Sequence, residues 1–176
     1  MIFTETKLPG AFVLDLERKE DARGHFARVF CVEEFRAHGL DPRVAQCSIS
    51  FNRRLGTLRG MHWQAAPKAE AKLIRCTRGA IHDVIVDLRP GSPTHLQHLA
   101  VELTGDNGRM LYVPEGFAHG FQTLADDTEV FYQMTEFFAP ECGRGARWND
   151  PAFGIQWPLP DPIMNERDNT WADFVG

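Results

Sequence analysis

The four cysteines (Cys31, Cys47, Cys76 and Cys142) include no CxxC pair. That removes the redox and zinc motifs built on this spacing and leaves free thiols in a cytoplasmic protein, with three of the four expected to pack as small hydrophobes. No charged and apolar leader opens the chain, and no apolar run approaches a membrane span, so neither secretion nor membrane insertion is expected. An excess of basic charge is missing too. Lys and Arg total 19 against 24 Asp and Glu, a net charge of −5. This argues against a general nucleic-acid or membrane surface but permits a local basic pocket for a phosphorylated metabolite. Linkers, repeats and low-complexity tracts are absent, so the 176 residues are read as one domain, 1–176.

Helical periodicity is scarce as well. Only Val32, Phe35 and Ala37 have roughly helical spacing, in a short segment over 32–38 that Gly39 is suited to cap. Strand patterns fill most of the rest, at residues 10–16, 24–30, 44–51, 58–64, 72–77, 80–88, 98–103, 109–113, 117–124 and 129–138. A polar turn is expected at 17–23. Turn-forming stretches such as Arg78-Gly79, Arg89-Pro90-Gly91-Ser92-Pro93 and Ala125-Asp126-Asp127 separate the later strands. Many short strands with hardly a helix imply an antiparallel sandwich or barrel. The last third is loop-like and proline-bearing, and it must pack its large aromatics on that barrel to be ordered.

Two stretches carry chemistry. In Arg59-Gly60-Met61-His62-Trp63-Gln64, alternation puts His62 on one face with Gly60 and Gln64, while Met61 and Trp63 point the other way. Lys72 shares a face with Ile74 and Cys76. A histidine and a lysine on neighbouring strands near an arginine suggest proton chemistry on an anionic substrate, although a strand histidine is equally well a hydrogen-bonded core residue. The second stretch is Pro114-Glu115-Gly116-Phe117-Ala118-His119-Gly120-Phe121, a turn followed by a strand bearing His119. Together the two resemble the half-motifs of the cupin jelly roll. Metal-binding cupins have His-x-His in the first half, whereas this chain has His62-Trp63-Gln64, so no metal site is expected. His62 and Tyr132 then become a candidate base and acid, Tyr132 being otherwise a core tyrosine. Asp83 and Asp87, on a largely apolar strand with Ile81 and Ile85, need partners. Asp83 is read as a pocket residue and Asp87 as a structural ion-pair member.

Further matches are Asp21-x-Arg23-Gly24-x-Phe26, Lys72-Leu73-x-Arg75, Asp83-Val84-x-Val86-Asp87, Gly91-Ser92-Pro93-Thr94, Tyr132 and Trp148-Asn149-Asp150-Pro151. In this ordered set, from about the tenth residue nearly to the end, the chain resembles the dTDP-4-dehydrorhamnose 3,5-epimerases. The resemblance implies an all-β cupin jelly-roll barrel of antiparallel strands with a few short helices. It implies epimerisation at carbons 3 and 5 of a nucleotide-linked 4-keto-6-deoxyhexose, with a single-centre epimerase or a ketoisomerase as the alternatives. By the same resemblance His62 matches the general base, Asp168 the carboxylate orienting it, Tyr132 the general acid and Lys72 the residue beside the keto oxygen. Arg23, Gln46, Arg59, His119 and Arg167 match contacts to diphosphate and sugar, and Phe138 a ring stacked on the base. Arg28, Ser48 and Gly143 stand at substrate-contacting positions where the family commonly has glutamate, asparagine and glutamate, which leaves the nucleotide and sugar open. The implied partner is a nucleotide-diphosphate sugar. The implied assembly is a homodimer in which each subunit contributes to its partner's pocket, without metal or redox cofactor.

Overall fold

Residues 1–175 are described by a computed structural model of the chain. The described residues form thirteen strands: β1 (Ile2–Glu5), β2 (Phe12–Asp15), β3 (Lys19–Asp21), β4 (Gly24–Phe26), β5 (Gln46–Asn52), β6 (Leu58–Gln64), β7 (Lys72–Arg78), β8 (Ala80–Asp87), β9 (His98–Thr104), β10 (Met110–Val113), β11 (Phe117–Thr123), β12 (Thr128–Met134) and β13 (Gly143–Gly145). The helices are α1 (Val32–Ala37) and the four-residue α2 (Glu166–Asn169). One sheet runs β1-β2-β10-β7-β12-β5 and the other β13-β6-β11-β8-β9, while β3 and β4 form a separate hairpin. Every pair of named strands is antiparallel, as the cupin jelly roll requires. Among the described residues no helix is long and apolar enough to cross a membrane.

Period-two patterning decides which face of each strand is buried where. Ile74 and Cys76 of β7, Ile81 and Ile85 of β8, and Phe117 and Phe121 of β11 point between the sheets and form the central core. Leu73, one step out of phase, faces outward to a second cluster around Phe35 of α1. There Phe35 meets Phe3 and Tyr112 edge-on, with centroids 5.6 and 5.9 Å apart. Met61, Val84, Val86 and Ala118 face outward from the five-stranded sheet and are covered by Phe153, Ile155, Trp157 and Phe174 of the C-terminal stretch. The expected packing of that stretch on the barrel is therefore present. Asp150 ties it down, accepting hydrogen bonds from the backbone N–H of Ala152 at 2.9 Å and of Phe174 at 2.5 Å.

Several boundaries differ from the expectation. Residues 19–21, read as part of a turn, pair with β4 instead, and the strand expected over 24–30 stops at Phe26. Every residue of that hairpin is exposed, so it lacks the burial that would extend it. The strand expected over 129–138 ends at Met134, leaving Phe137 and Phe138 exposed. β1, β13 and α2 were not expected; each has four residues or fewer, too short for a periodic signal. Cys76 and Cys142 are buried, Cys31 is half-buried and Cys47 is exposed, so two cysteines are fully packed rather than three.

Candidate active site

One end of the barrel opens into a cavity of 270 Å³ between the sheets, lined by Arg59, His62, Lys72, His119, Tyr132 and Asp168 among others. Five strands, β5, β6, β7, β11 and β12, converge to build it. The β6–β11 register sets His119 opposite His62, and the β7–β12 register sets Lys72 opposite Met134, one inward step beyond Tyr132. The β6–β11 contact depends on glycine. A Cβ on Gly60, whose φ is +135°, would lie 2.5 Å from the Gly120 Cα, so any side chain would push the two strands apart.

His62 is joined to Asp168 through Nε2, 2.7 Å from Oδ1. The Asp168 side chain is only 3% exposed, against 43% for His62. Burial alone would push this carboxyl up, but the His62 hydrogen bond and the Gly60 backbone N–H outweigh it and hold Asp168 below the ordinary carboxylate value. An ionised carboxylate only accepts, so Nε2 carries the proton and Nδ1 keeps the lone pair of a base. Asp168 is placed by α2, where the Asn165 side chain accepts from the Asp168 backbone N–H at 2.7 Å. The turn is pressed against β13: a Cβ on Gly145 would come within 2.3 Å of the Trp171 ring, on whose face the Arg167 guanidinium lies at 5.0 Å.

A second histidine–carboxylate pair lies deeper. His119 Nε2 is 2.7 Å from Asp83 Oδ1, with both side chains buried. Asp83 thus sits behind His119 rather than in the cavity wall, and its Oδ2 has no hydrogen-bond partner among the described residues. The His119 ring meets Tyr132 edge-on at 6.1 Å. Burial first, and then the Asp83 charge, push the Tyr132 phenol well above its usual value, so it stays protonated through the neutral range. Asp87, by contrast, is held by Arg89, Ser92 and Thr94, the structural role expected for it.

Sequence reasoning missed three supporting residues. Asn52 is buried and accepts from Arg59 Nε at 2.8 Å, aiming that guanidinium at the cavity. Asn165, which caps α2, lines the cavity itself. Glu70 forms an ion pair with Lys72 at 2.9 Å. A strand extended two residues upstream of Lys72 would have placed Glu70 on the same face, and that was the available signal.

A neighbouring cavity of 320 Å³ shares His62, Lys72 and Asp168 and adds Glu70, Phe138 and Arg167, with Gly143 in its wall. The other expected contacts lie outside both cavities of this chain. Gln46 accepts from the Phe138 backbone N–H at 3.0 Å, and Ser48 is exposed on β5 opposite Tyr132, with Ser50 in the cavity wall in its place. Among the described residues Arg23, on the exposed hairpin, pairs only with Asp21, and Arg28 pairs with Glu34 at 2.9 Å. Arg28 also borders a separate cavity of 440 Å³, whose other walls include Met1, Glu17 and Glu34. That cavity holds no histidine or tyrosine and is not where the proton chemistry converges. Among the described residues, no three His, Cys, Asp or Glu side chains are grouped as metal ligands.

The assembly offers an imidazole lone pair, a protonated phenol and an ammonium around one space. Such a set can remove and return a proton beside an oxygen whose growing charge is stabilised. Residues 5–175 match the family described as dTDP-4-dehydrorhamnose 3,5-epimerase. A dTDP-4-dehydrorhamnose 3,5-epimerase of Sinorhizobium fredii is 45% identical over 151 residues, 85% of this chain and 77% of the relative. The crystal structure of the Bacillus anthracis enzyme of that name, with TDP and pyrophosphate bound, superposes with a TM-score of 0.95 at 38% identity, covering 98% of this chain and 99% of that one. A 3'-monoepimerase from Streptomyces bikiniensis in complex with dTDP-quinovose gives 0.85 at 34% identity, over 93% of this chain and 83% of that one.

Proposed function

The chain belongs to the dTDP-4-dehydrorhamnose 3,5-epimerase family, and we propose that it epimerises a nucleotide-linked 4-keto-6-deoxyhexose at carbons 3 and 5, converting dTDP-4-dehydro-6-deoxyglucose to dTDP-4-dehydrorhamnose. The observation that carries this reading is the convergence of the His62–Asp168 pair, Tyr132 and Lys72 on one cavity. A C–H bond beside a ketone is acidic because its loss gives an enolate. His62 Nδ1 takes that proton while Asp168 holds the ring and stabilises the imidazolium. Lys72 meets the charge growing on the ketone oxygen. Tyr132 returns a proton from the opposite face, which inverts the centre. The ketone at carbon 4 activates both neighbouring carbons, so one site serves both. No metal or redox cofactor enters these steps.

Arg59, His119 and Arg167 hold the diphosphate and sugar in this reading, and Phe138 stacks on the base. The hairpin β3–β4 reaches a partner's pocket in a homodimer, carrying Arg23. Its support is that Arg23 and Arg28 line neither of the two cavities that hold His62 and Lys72 in their own chain, while Phe26 is 71% exposed and Ile49 on the edge strand 62%. The four free thiols suit the cytoplasm.

Deuterium uptake from heavy water, followed by NMR on the dTDP-4-keto sugar, tests the function. Two exchanged carbons identify the double epimerase and one a single-centre enzyme. No exchange at either carbon overturns the reading. Tyr132→Phe separates the two half-reactions: exchange at carbon persists while net inversion falls by roughly 10²-fold or more. If both rates stay at the wild-type level, Tyr132 is a packed ring only.

Gly145→Ala tests the support of the pair. The added methyl displaces Trp171 and with it the turn carrying Asp168. A misplacement of about 1 Å is worth up to about 10²-fold in rate. Turnover is expected to fall while the thermal midpoint stays near that of the wild type, because the ring packs at the rim. An unchanged kcat would show that Asp168 is held without Trp171.

A further inference from the structure

The Glu70–Lys72 ion pair stands where the two cavities meet. Lys72 lines both, whereas Glu70 lines only the outer one, alongside Phe138 and Arg167. Their side chains are 12% and 14% exposed and 2.9 Å apart. This is a pair largely withdrawn from water, unlike the looser Lys68–Glu136 contact nearby at 3.4 Å, where the lysine is 47% exposed.

A lysine ammonium is a compact charge on a flexible stem with three donors. Left alone at the mouth of a pocket that takes a diphosphate, it would be drawn to phosphate, the densest negative charge within reach. The Glu70 carboxylate, 2.9 Å from the ammonium, cancels most of the long-range attraction. What remains of Lys72 is a directed donor suited to a neutral oxygen, whose interaction strengthens as that oxygen becomes negative. The carboxylate also faces the outer cavity, where it repels phosphate from Lys72 and leaves it to the arginines.

We propose that Glu70 is a positioning residue that reserves Lys72 for the sugar's carbonyl oxygen and keeps the diphosphate off it. The proposal rests on the epimerase reading for the identity of that oxygen, but its central test needs no turnover. Pyrophosphate is titrated calorimetrically into the wild type, Glu70→Gln and Glu70→Asp, and kcat and KM are measured on the keto sugar.

Glu70→Gln retains the shape and loses the charge, so pyrophosphate should bind about tenfold tighter, the effect of removing one repelling charge near the anion. The same variant should lose about tenfold in kcat without a rise in KM, because Lys72 binds the wrong group without weakening overall affinity. Glu70→Asp keeps the charge and should remain close to the wild type in pyrophosphate affinity. A packing role alone would move the melting temperature and not this affinity. Should Glu70→Gln fail to fold, Glu70→Ala makes the same charge change. Pyrophosphate affinity unchanged on loss of the charge, or equally raised in Glu70→Asp, overturns the proposal. Absence of carbon exchange in the wild type would instead overturn the epimerase reading and leave the affinity result standing.

Discussion

Replacing His62 with asparagine is expected to slow carbon–deuterium exchange by about 10²–10⁴-fold at both carbons, with nucleotide binding and fold retained. The loss corresponds to about 3–5 kcal/mol of transition-state stabilisation. An amide is near the size of imidazole and can still donate to Asp168, but it has no nitrogen lone pair able to accept a proton at neutral pH. The fold should tolerate the change because the His62 side chain is 43% exposed and belongs to none of the three apolar clusters. The checks are exchange by NMR, dTDP affinity by calorimetry and a thermal melt. Exchange within a factor of a few of the wild type, in a folded variant, would remove His62 from the chemistry.

The largest stability effect is expected at Asp87, far from any proton transfer. Its fully buried carboxylate accepts from Arg89 Nη2 at 2.7 Å and Nε at 2.9 Å, from Ser92 Oγ at 2.6 Å and from Thr94 Oγ1 at 2.7 Å. Arg89 in turn donates to the Pro9 carbonyl and lies 4.6 Å from the Phe117 ring centroid, so Asp87 joins the turn after β8 to the N-terminal segment. Asp87→Ala leaves these donors without an acceptor, and removing one partner of a buried pair costs about 3–5 kcal/mol. For a domain of this size that is a fall in melting temperature of roughly 6–20 °C.

The pH dependence has a definite sign. Burial opposes ionisation of Asp87, but the Arg89, Ser92 and Thr94 hydrogen bonds prevail and depress its pKa in the folded chain. A depressed carboxylate stabilises the fold fully above its unfolded value of about 3.9, and that contribution is lost as pH falls toward the folded value. The gap between wild type and Asp87→Ala should therefore be widest near neutrality and shrink below about pH 4. A melting difference of under about 2 °C at pH 7 would show that water replaces the carboxylate at no cost.

Much of this was legible in the chain. Alternation alone places His62 with Gly60 and Gln64, and Lys72 with Ile74 and Cys76, and those faces are the ones found. The antiparallel barrel, the short helix before Gly39 and the covering role of the C-terminal aromatics were likewise readable, because strand periodicity and turn chemistry are local properties. Asp87 was read as an ion-pair member from the cost of burying a carboxylate among Ile81 and Ile85, and its partners bear that out.

Other features follow only from how distant segments meet. Asp168 lies 106 residues from His62, and only the family resemblance pointed to it as the histidine's partner; its contact with the ring comes from a four-residue turn packed where Gly145 leaves room for Trp171. Asp83 behind His119 and Asn52 beneath Arg59 are pairings between side chains whose strand neighbours carry no such signal. The hairpin holding Arg23 and the isolated position of Arg28 also came from the three-dimensional arrangement, since exposure depends on what the rest of the chain fails to cover. Periodicity along the sequence decides which way each side chain points. Which other side chain it finds there is decided by strand order and register, set by burial over the whole barrel at once.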